Sequence, residues 1–355
     1  MKIVHLVTAL DFGGLERRME ILSHYPSKTN ELVFCSLSKG GATYQKMLAN
    51  DSNVHLLNCD PKIFRINTYL TLRKFLKSEK PTVIHTHGAE ANFYGQLAGF
   101  ELGIKIRVAE EIGIPSSSKK AQFVFSKIFK LSHSVIAMSP IVKNFLIDKK
   151  FVQSHKVDLV YNPVLVSDLK KTHQNKTKIK FIFIGRLESV KNPIGLLRAF
   201  KALLTNHTAV ELIYVGDGTL RNELEKLIDS ENIGDFVKCL GFVSDPLSIA
   251  RECDVVVQPS HTEGFSLALV EAMSCGLPAV ATPVGSAKEL IVDNISGWVV
   301  NSSKDSDILI GLERAVKAKD QLFEMGRIAA DKVYDNHSPN LYAEKLDNFY
   351  LSLGA

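Results

Sequence analysis

The chain has 355 residues, 45% apolar and 23% charged, which is enough for two globular domains and excludes a disordered or fibrous protein. No apolar run approaches the length of a membrane span, and five scattered cysteines without a C-x-x-C pair fit free thiols in a reducing cytoplasm better than a disulfide framework. The net charge of +5 is uneven, with +9 over residues 1–170 and −4 over the remainder, so the first half suits a polyanion or an anionic membrane surface.

The apolar segment at the start runs to Asp11 without a small-residue cleavage site, and reads as a first strand over 2–7. Gly13 and Gly14 follow in a strand–helix turn that can bring backbone close to a phosphate or serve as a plain tight turn. A helix over 15–23 precedes strands at 31–37 and 54–56, and an amphipathic helix over 68–78 precedes a strand at 83–85. That strand runs into His85-Thr86-His87-Gly88. Two histidines two apart share a strand face and can ligate metal together, but no third ligand is spaced to help. A strand at 106–109 leads to Glu110-Glu111-Ile112-Gly113. Residues 116–130 interleave Phe123, Phe125, Ile128 and Phe129 with Lys119, Lys120, Lys127 and Lys130, the pattern of a packed helix with a solvated basic face or of a helix lying on anionic lipid. Strands at 134–138 and 157–160 complete the first half.

A polar stretch without apolar periodicity, residues 167–178, reads as a linker. Strand–helix alternation restarts at 179–184 and continues through strands at 211–215, 236–239, 254–257, 279–282 and 298–300, which implies a second parallel sheet. Gly185 and Arg186 follow the first of these strands, and Lys191 comes five residues later. Two cations at a strand's carboxyl end can clamp a pyrophosphate, or belong to a solvated loop. Val215-Gly216-Asp217-Gly218 begins like a dinucleotide fingerprint, but Arg221 occupies the place of the third glycine, which demotes a nicotinamide dehydrogenase. Leu240-Gly241-Phe242-Val243 follows the next strand. After Gln258-Pro259-Ser260, Glu263 and Glu271 stand eight residues apart across a strand–loop–helix junction. A helix is expected from 265 to 275, stopped by Gly276 and Pro278. The amides of Gly264, Phe265, Ser266 and Leu267 would then offer an anion the positive end of the helix dipole. Asp305-Ser306-Asp307 resembles a metal-binding D-x-D but fits a helix N-cap with first-turn acid, so no essential metal is expected.

The run from Glu263 to Glu271, with its continuation to Pro278, resembles the E-x7-E motif of the retaining glycosyltransferases of family 4. The segments at 185–193, 215–218, 240–243, 13–14 and 85–88 resemble further motifs of that family, and the resemblance covers nearly the whole chain. It implies the α/β GT-B fold, two Rossmann-like doubly wound domains facing each other across a cleft. The expected division is 1–166 for the acceptor domain, 167–178 for the linker, 179–338 for the donor domain, and 339–355 for a C-terminal helix that can pack back on the first domain.

The implied activity is glycosyl transfer, with retention, from a nucleotide diphosphate sugar (UDP-sugar favoured) to a hydroxyl of a glycan or lipid-linked acceptor, in bacterial surface polysaccharide or lipid-linked glycan synthesis. The family assigns Glu263 to the donor sugar, Glu271 to the ribose, Arg186 and Lys191 to the departing diphosphate, and His87 to the reacting centre. Gly13, Gly14, Gly216, Phe242, Gly264, Phe265, Ser266 and Leu267 would line the donor site. In place of the family's E-H-G loop this chain has Glu110-Glu111-Ile112, without the histidine. No cofactor and no nucleic-acid partner are expected. The expected location is cytoplasmic, peripheral to the inner face of the plasma membrane if the basic half docks there. A nucleotide-sugar 2-epimerase of the same fold and a non-catalytic sugar-nucleotide scaffold are the competing readings.

Overall fold

The computed structural model describes residues 1–11, 13–25, 29–112, 118–165 and 178–354. Residues 167–177 of the linker expected at 167–178, with Phe12, Gly113, Ser116 and Ser117, lie outside the described residues. By its contacts the chain divides into two compact units, Met1–Val164 with Pro339–Ala355, and Leu165–Ser338.

The first unit contains strands β1 (Lys2–Val7), β2 (Glu31–Ser36), β3 (Val54–Leu56), β4 (Val83–His87), β5 (Ile106–Glu111), β6 (Ser134–Ala137) and β7 (Val157–Leu159). Its helices are α1 (Gly14–His24), α2 (Ala42–Ala49), α3 (Ile66–Glu79), α4 (Ala89–Glu101), α5 (Lys119–Leu131) and α6 (Pro140–Asp148). The second unit contains β8 (Ile179–Ile184), β9 (Val210–Val215), β10 (Val237–Cys239), β11 (Val255–Gln258), β12 (Ala279–Ala281) and β13 (Gly297–Val299). With them come α7 (Pro193–Leu204), α8 (Arg221–Ser230), α9 (Pro246–Ala250), α10 (Leu267–Ser274), α11 (Ala287–Leu290), α12 (Asp305–Lys317) and α13 (Leu322–His337). The last helix, α14 (Pro339–Ser352), returns to the first unit, where Tyr342, Leu346 and Tyr350 join the core with Ile3, Val7 and Val83.

All the strand pairs are parallel, in the order β3-β2-β1-β4-β5-β6-β7 and β10-β9-β8-β11-β12-β13. Each order reverses once, between β1 and β4 and between β8 and β11. Such switch points open a crevice at the strands' carboxyl ends, where α/β sheets bind ligands. The strands are apolar runs because helices cover both faces: Val4 and Leu6 join a core with α3 and α4, while Ile3 and Val7 join one with α14.

Two boundary expectations need correction. The helix expected from 265 begins at Leu267, because Ser266 is held in the left-handed region at φ 78° and cannot continue a helix backwards. Glu271 therefore lies just over one turn inside α10. At α12 the N-cap is Lys304, and Asp305 and Asp307 both lie in the first turn. Their charges face the positive helix end there, and Asp307 accepts a hydrogen bond from Ser302 Oγ at 2.5 Å.

Candidate functional site

The second unit's switch point brings together residues that are far apart in the chain. The loop after β8 makes a short 3-10 turn over Ser189–Lys191, ended by Asn192 at φ 55°. Asn192 caps α7 through Gly195 N at 3.2 Å and donates to the carbonyls of Pro259 and Ser303. His261 N donates to Val190 O at 2.9 Å. These bonds tie the β8 loop to the β11 loop and set Lys191 Nζ against Glu263 as an ion pair.

Glu263 is held by more than the lysine. Its Oε1 also accepts from Gln258 Nε2 at 2.8 Å and Ser260 Oγ at 2.9 Å. Gln258 reaches Ser266 Oγ as well, at 2.8 Å. The carboxylate is thereby fixed through one oxygen, and its other oxygen has no partner among these contacts. Gly285 packs against this group: a β-carbon there would meet Ser266 Oγ at 2.7 Å and Glu263 Cβ at 2.8 Å. The amides of Leu267 and Ala268 begin α10 and have no intrahelical acceptor, so an anion can bind beside the carboxylate. Leu269 N turns back to Ser266 O at 3.1 Å, so its amide is not among those open at the start of α10. Phe265 is buried, with its ring 5.4 Å from that of His337. Glu271 is half-buried on α10.

Arg186 is exposed beside this loop. Glu188 accepts from Thr219 N and Oγ1 at 3.1 and 2.8 Å, and these bonds, with the nearby Arg186 charge, lower its pKa. Gly216, at φ 137°, passes so close to β8 that a β-carbon would lie 1.9 Å from Gly185 O. That contact is the physical reason for glycine after β9. Arg221, in the place of a third glycine, pairs with Asp217 at 3.0 Å and Glu225 at 2.9 Å, so it is built into the turn. Phe242 is 61% exposed and is not core.

In the first unit Gly13 caps α1, and Gly14 opens it at the surface. His87 lies elsewhere: it is fully buried, on the β-sheet face that α1 and α14 cover. Its Nε2 is 3.0 Å from His5 Nδ1, and its Nδ1 is 2.6 Å from Glu110 Oε2. Arg18, also buried, pairs with Glu110 and donates to Asn162 Oδ1 at 2.8 Å. His85 Nδ1 meets the Tyr350 hydroxyl at 2.7 Å. A proton assignment that suits these contacts has Tyr350 donating to His85, His5 donating to His87, and His87 donating to Glu110. His85 Nε2 lies 3.2 Å from Glu110 Oε2 but is misaligned, and it and Arg18 Nε lack hydrogen-bond partners.

Burial favours raising the pKa of Glu110, but the Arg18 charge, the hydrogen-bonded His87 and the nearby His85 imidazole outweigh it and hold the carboxyl well below its usual range. Desolvation, with the neighbouring His85, pushes His87 down to about 3, and desolvation likewise lowers His5 and His85.

His5 supplies the third imidazole missing from the sequence reading, because β1 pairs with β4 and sets His5 beside His85. Nitrogens of the three rings lie within 4.8 Å of one another. An added cation would face the Arg18 guanidinium, whose Nη2 is 3.1 Å from His87 Nδ1. These residues fit a neutral hydrogen-bonded cluster around one Arg–Glu pair better than a metal site.

The basic stretch forms α5, capped by Ser118 Oγ, which accepts from Ala121 N at 3.2 Å. Ile128 and Phe129 are buried and Phe125 packs against the core, while Phe123 is 67% exposed with Lys127 5.7 Å above its ring. Among the described residues no helix is long and apolar enough to cross a membrane.

Gln258 and Ser260 are the site residues that sequence reasoning missed. They served there only to mark the end of a strand, and the one available signal was two polar side chains flanking Pro259 just before Glu263.

Residues 167–332 match the family described as "Glycosyl transferases group 1", and residues 12–167 match "Glycosyltransferase Family 4". Over 338 residues the chain is 32% identical to an N-acetylgalactosamine-N,N'-diacetylbacillosaminyl-diphospho-undecaprenol 4-alpha-N-acetylgalactosaminyltransferase of Campylobacter jejuni, covering 88% of this chain and 89% of that one. Over 309 residues it is 25% identical to an Escherichia coli UDP-Gal:alpha-D-GlcNAc-diphosphoundecaprenol alpha-1,3-galactosyltransferase, covering 81% and 80%. The Anabaena protein HepE, crystallised with UDP, superposes with a TM-score of 0.85 at 20% identity over 99% of this chain and 100% of its own. The lipopolysaccharide outer core galactosyltransferase WaaB superposes with a TM-score of 0.80 at 18% identity, over 99% of both chains. At that identity the two structures speak for the fold, which is GT-B.

Proposed function

The chain belongs to glycosyltransferase family 4 and is a glycosyltransferase, and on that premise we propose that it moves a sugar from a UDP-sugar, with retention, to a lipid-linked glycan acceptor. The observation that carries this reading is the clamp at the β8/β11 switch point, with Lys191, Gln258 and Ser260 on one oxygen of Glu263 beside the α10 N-terminus. In this reading the second oxygen of Glu263 orients hydroxyls of the donor sugar, and Glu271 holds the ribose. Arg186, Lys191 and the first α10 amides meet charge as it develops on the departing diphosphate. His87, closed inside its network, acts through the strand end it supports and does not touch the sugar.

The named activities of the Escherichia coli and Campylobacter jejuni relatives favour a saccharide on a polyprenyl diphosphate as acceptor. The test has two stages. Protection against thermal unfolding is first compared among UDP-, GDP- and ADP-sugars. The protecting donor is then incubated with a polyprenyl diphosphate saccharide, and the linkage of the product is determined. The reading expects an axial linkage retained from the donor. An epimerised sugar with free nucleotide, or protection only by GDP- or ADP-sugars, would refute it.

A further inference from the structure

The first unit holds a cavity that includes part of the basic stretch at 116–130 but none of the residues assigned to the donor. It has a volume of about 660 Å³ and lies among the C-terminal halves of α5 and α6 and the segment at 150–156. Lys127, Lys130, Lys150, His155 and Lys156 line it, and among the described residues no carboxylate does. Its floor is apolar: Phe129, Phe151 and Val152 are all buried.

Some of this charge has an ordinary explanation. Two helices end here, and a basic residue near each negative helix end is stabilising. Lys156 is also spoken for, donating to Ser132 O at 3.1 Å. Lys127 lies over the Phe123 ring, and it, Lys130 and Lys150 are exposed and form no ion pair among the described residues. Gathering them around one concavity costs Coulomb energy that an anion would offset. A volume of this size holds a small organic ligand. The basic rim over an apolar floor suits a phosphate ester with an apolar portion, because lysine ammoniums bind phosphate oxygens while the apolar part packs along the lysine stems.

We propose that this cavity is a second ligand site, separate from the donor site, for a phosphate carried on an apolar group. The same chemistry occurs in the headgroup region of an anionic lipid and in a free phosphate ester, so the experiment has an arm for each. The full chain is compared with K127Q/K130Q/K150Q and with K74Q/K77Q/K80Q, a control that removes three exposed lysines from α3 and its end. One arm measures sedimentation with phosphatidylcholine vesicles, with and without phosphatidylglycerol. The other titrates naphthyl phosphate. A basic residue near an anionic surface is worth about fivefold in affinity, so the cavity variant should bind phosphatidylglycerol vesicles roughly a hundredfold more weakly while the control keeps most of its binding.

Vesicle binding with that dependence identifies a lipid headgroup as the source. Naphthyl phosphate binding alone, with the same dependence, identifies a free phosphate ester. Binding of neither probe, or equal loss in the two variants, overturns the proposal. Protection by the UDP-sugar should be the same in all three proteins, because none of these lysines lies in the donor site, so failure of the cavity and failure of the donor-site reading are separable.

Discussion

One oxygen of Glu263 accepts from three side chains, and this crowding separates residues that the sequence left equivalent. Arg186 and Lys191 were paired as cations of one clamp, yet Arg186 stands exposed while Lys191 already neutralises a carboxylate whose side chain is 9% accessible. Arg186→Ala should cost transition-state stabilisation on the order of 2.7–4 kcal/mol, as loss of one preorganised donor does. Lys191→Ala should cost more, because it also leaves Glu263 partly buried beside an anionic donor. Turnover numbers of the two variants decide it, and near-wild-type rates in both would remove the clamp. Glu263 and Glu271 should separate differently. Glu263→Ala removes a contact to the sugar that changes charge, so kcat should fall. Glu271→Ala removes binding to the unreactive ribose, so KM should rise with kcat nearly kept. Steady-state kinetics in the donor sugar would show the opposite pattern if the two roles are exchanged.

At the scale of elements, the turns after β8 and β9 are fitted to each other through backbone. Gly216→Ala would place a methyl 1.9 Å from Gly185 O, at φ 137°, where an L-residue is strained. A backbone oxygen cannot swing aside, so the substitution should destabilise the second unit by about 1–3 kcal/mol and displace Arg186 with the loop. Urea unfolding followed through Trp298, the single tryptophan and part of the second unit's core, measures this, and an unchanged midpoint would refute it. The strands were legible because parallel strands covered on both faces are continuous apolar runs, as in Val210–Val215. The glycines and Glu263 were legible because strand-end loops gather them within a few residues. His5 was not, because its neighbours His85 and His87 come from β4, and only the β1–β4 pairing joins them. The burial of His87 was hidden for a similar reason. A histidine at a strand end looks open until α1 and a helix more than 250 residues later cover that face, and Tyr350 becomes a partner of His85. Short polar residues such as Gln258 and Ser260 carry no periodicity, so their convergence on Glu263 shows only in three dimensions.

For the molecule as a whole, the two units differ in where their buried ionisable groups lie, and this sets a response to acid. The first unit buries Arg18, Glu110, His5, His85 and His87 in one network. A buried neutral imidazole whose pKa has fallen from 6.5 to about 3 binds no proton between those values, whereas the same side chain in the unfolded chain does. The unfolded state thus holds more protons below pH 6.5, and stability rises with pH through that window. The loss on acidification is about 1.4 kcal/mol per pH unit for each such histidine, and His5 and His85 shift in the same direction. Glu110 adds to this only at lower pH. Its carboxyl is held well below its ordinary value of 4.5, so its contribution is present above that value and fades as pH falls through the depressed one. Lowering the pH from 7 to 5 should therefore cost about 2 kcal/mol through His87 alone, with His5 and His85 adding in the same direction, all of it in the first unit. Trp298 reports on the second unit, while far-UV circular dichroism reports on both. Acid titration should lower the dichroism before it changes the tryptophan emission. His87→Asn, which cannot titrate, should flatten the slope of stability against pH by about one histidine's share, even if it lowers stability at pH 7. A stability curve that is level from pH 7 to 5 in the unaltered protein would show that the three imidazoles take up protons in the folded state just as they do in the unfolded chain. The neutral network around the Arg18–Glu110 pair would then be the wrong description of that core.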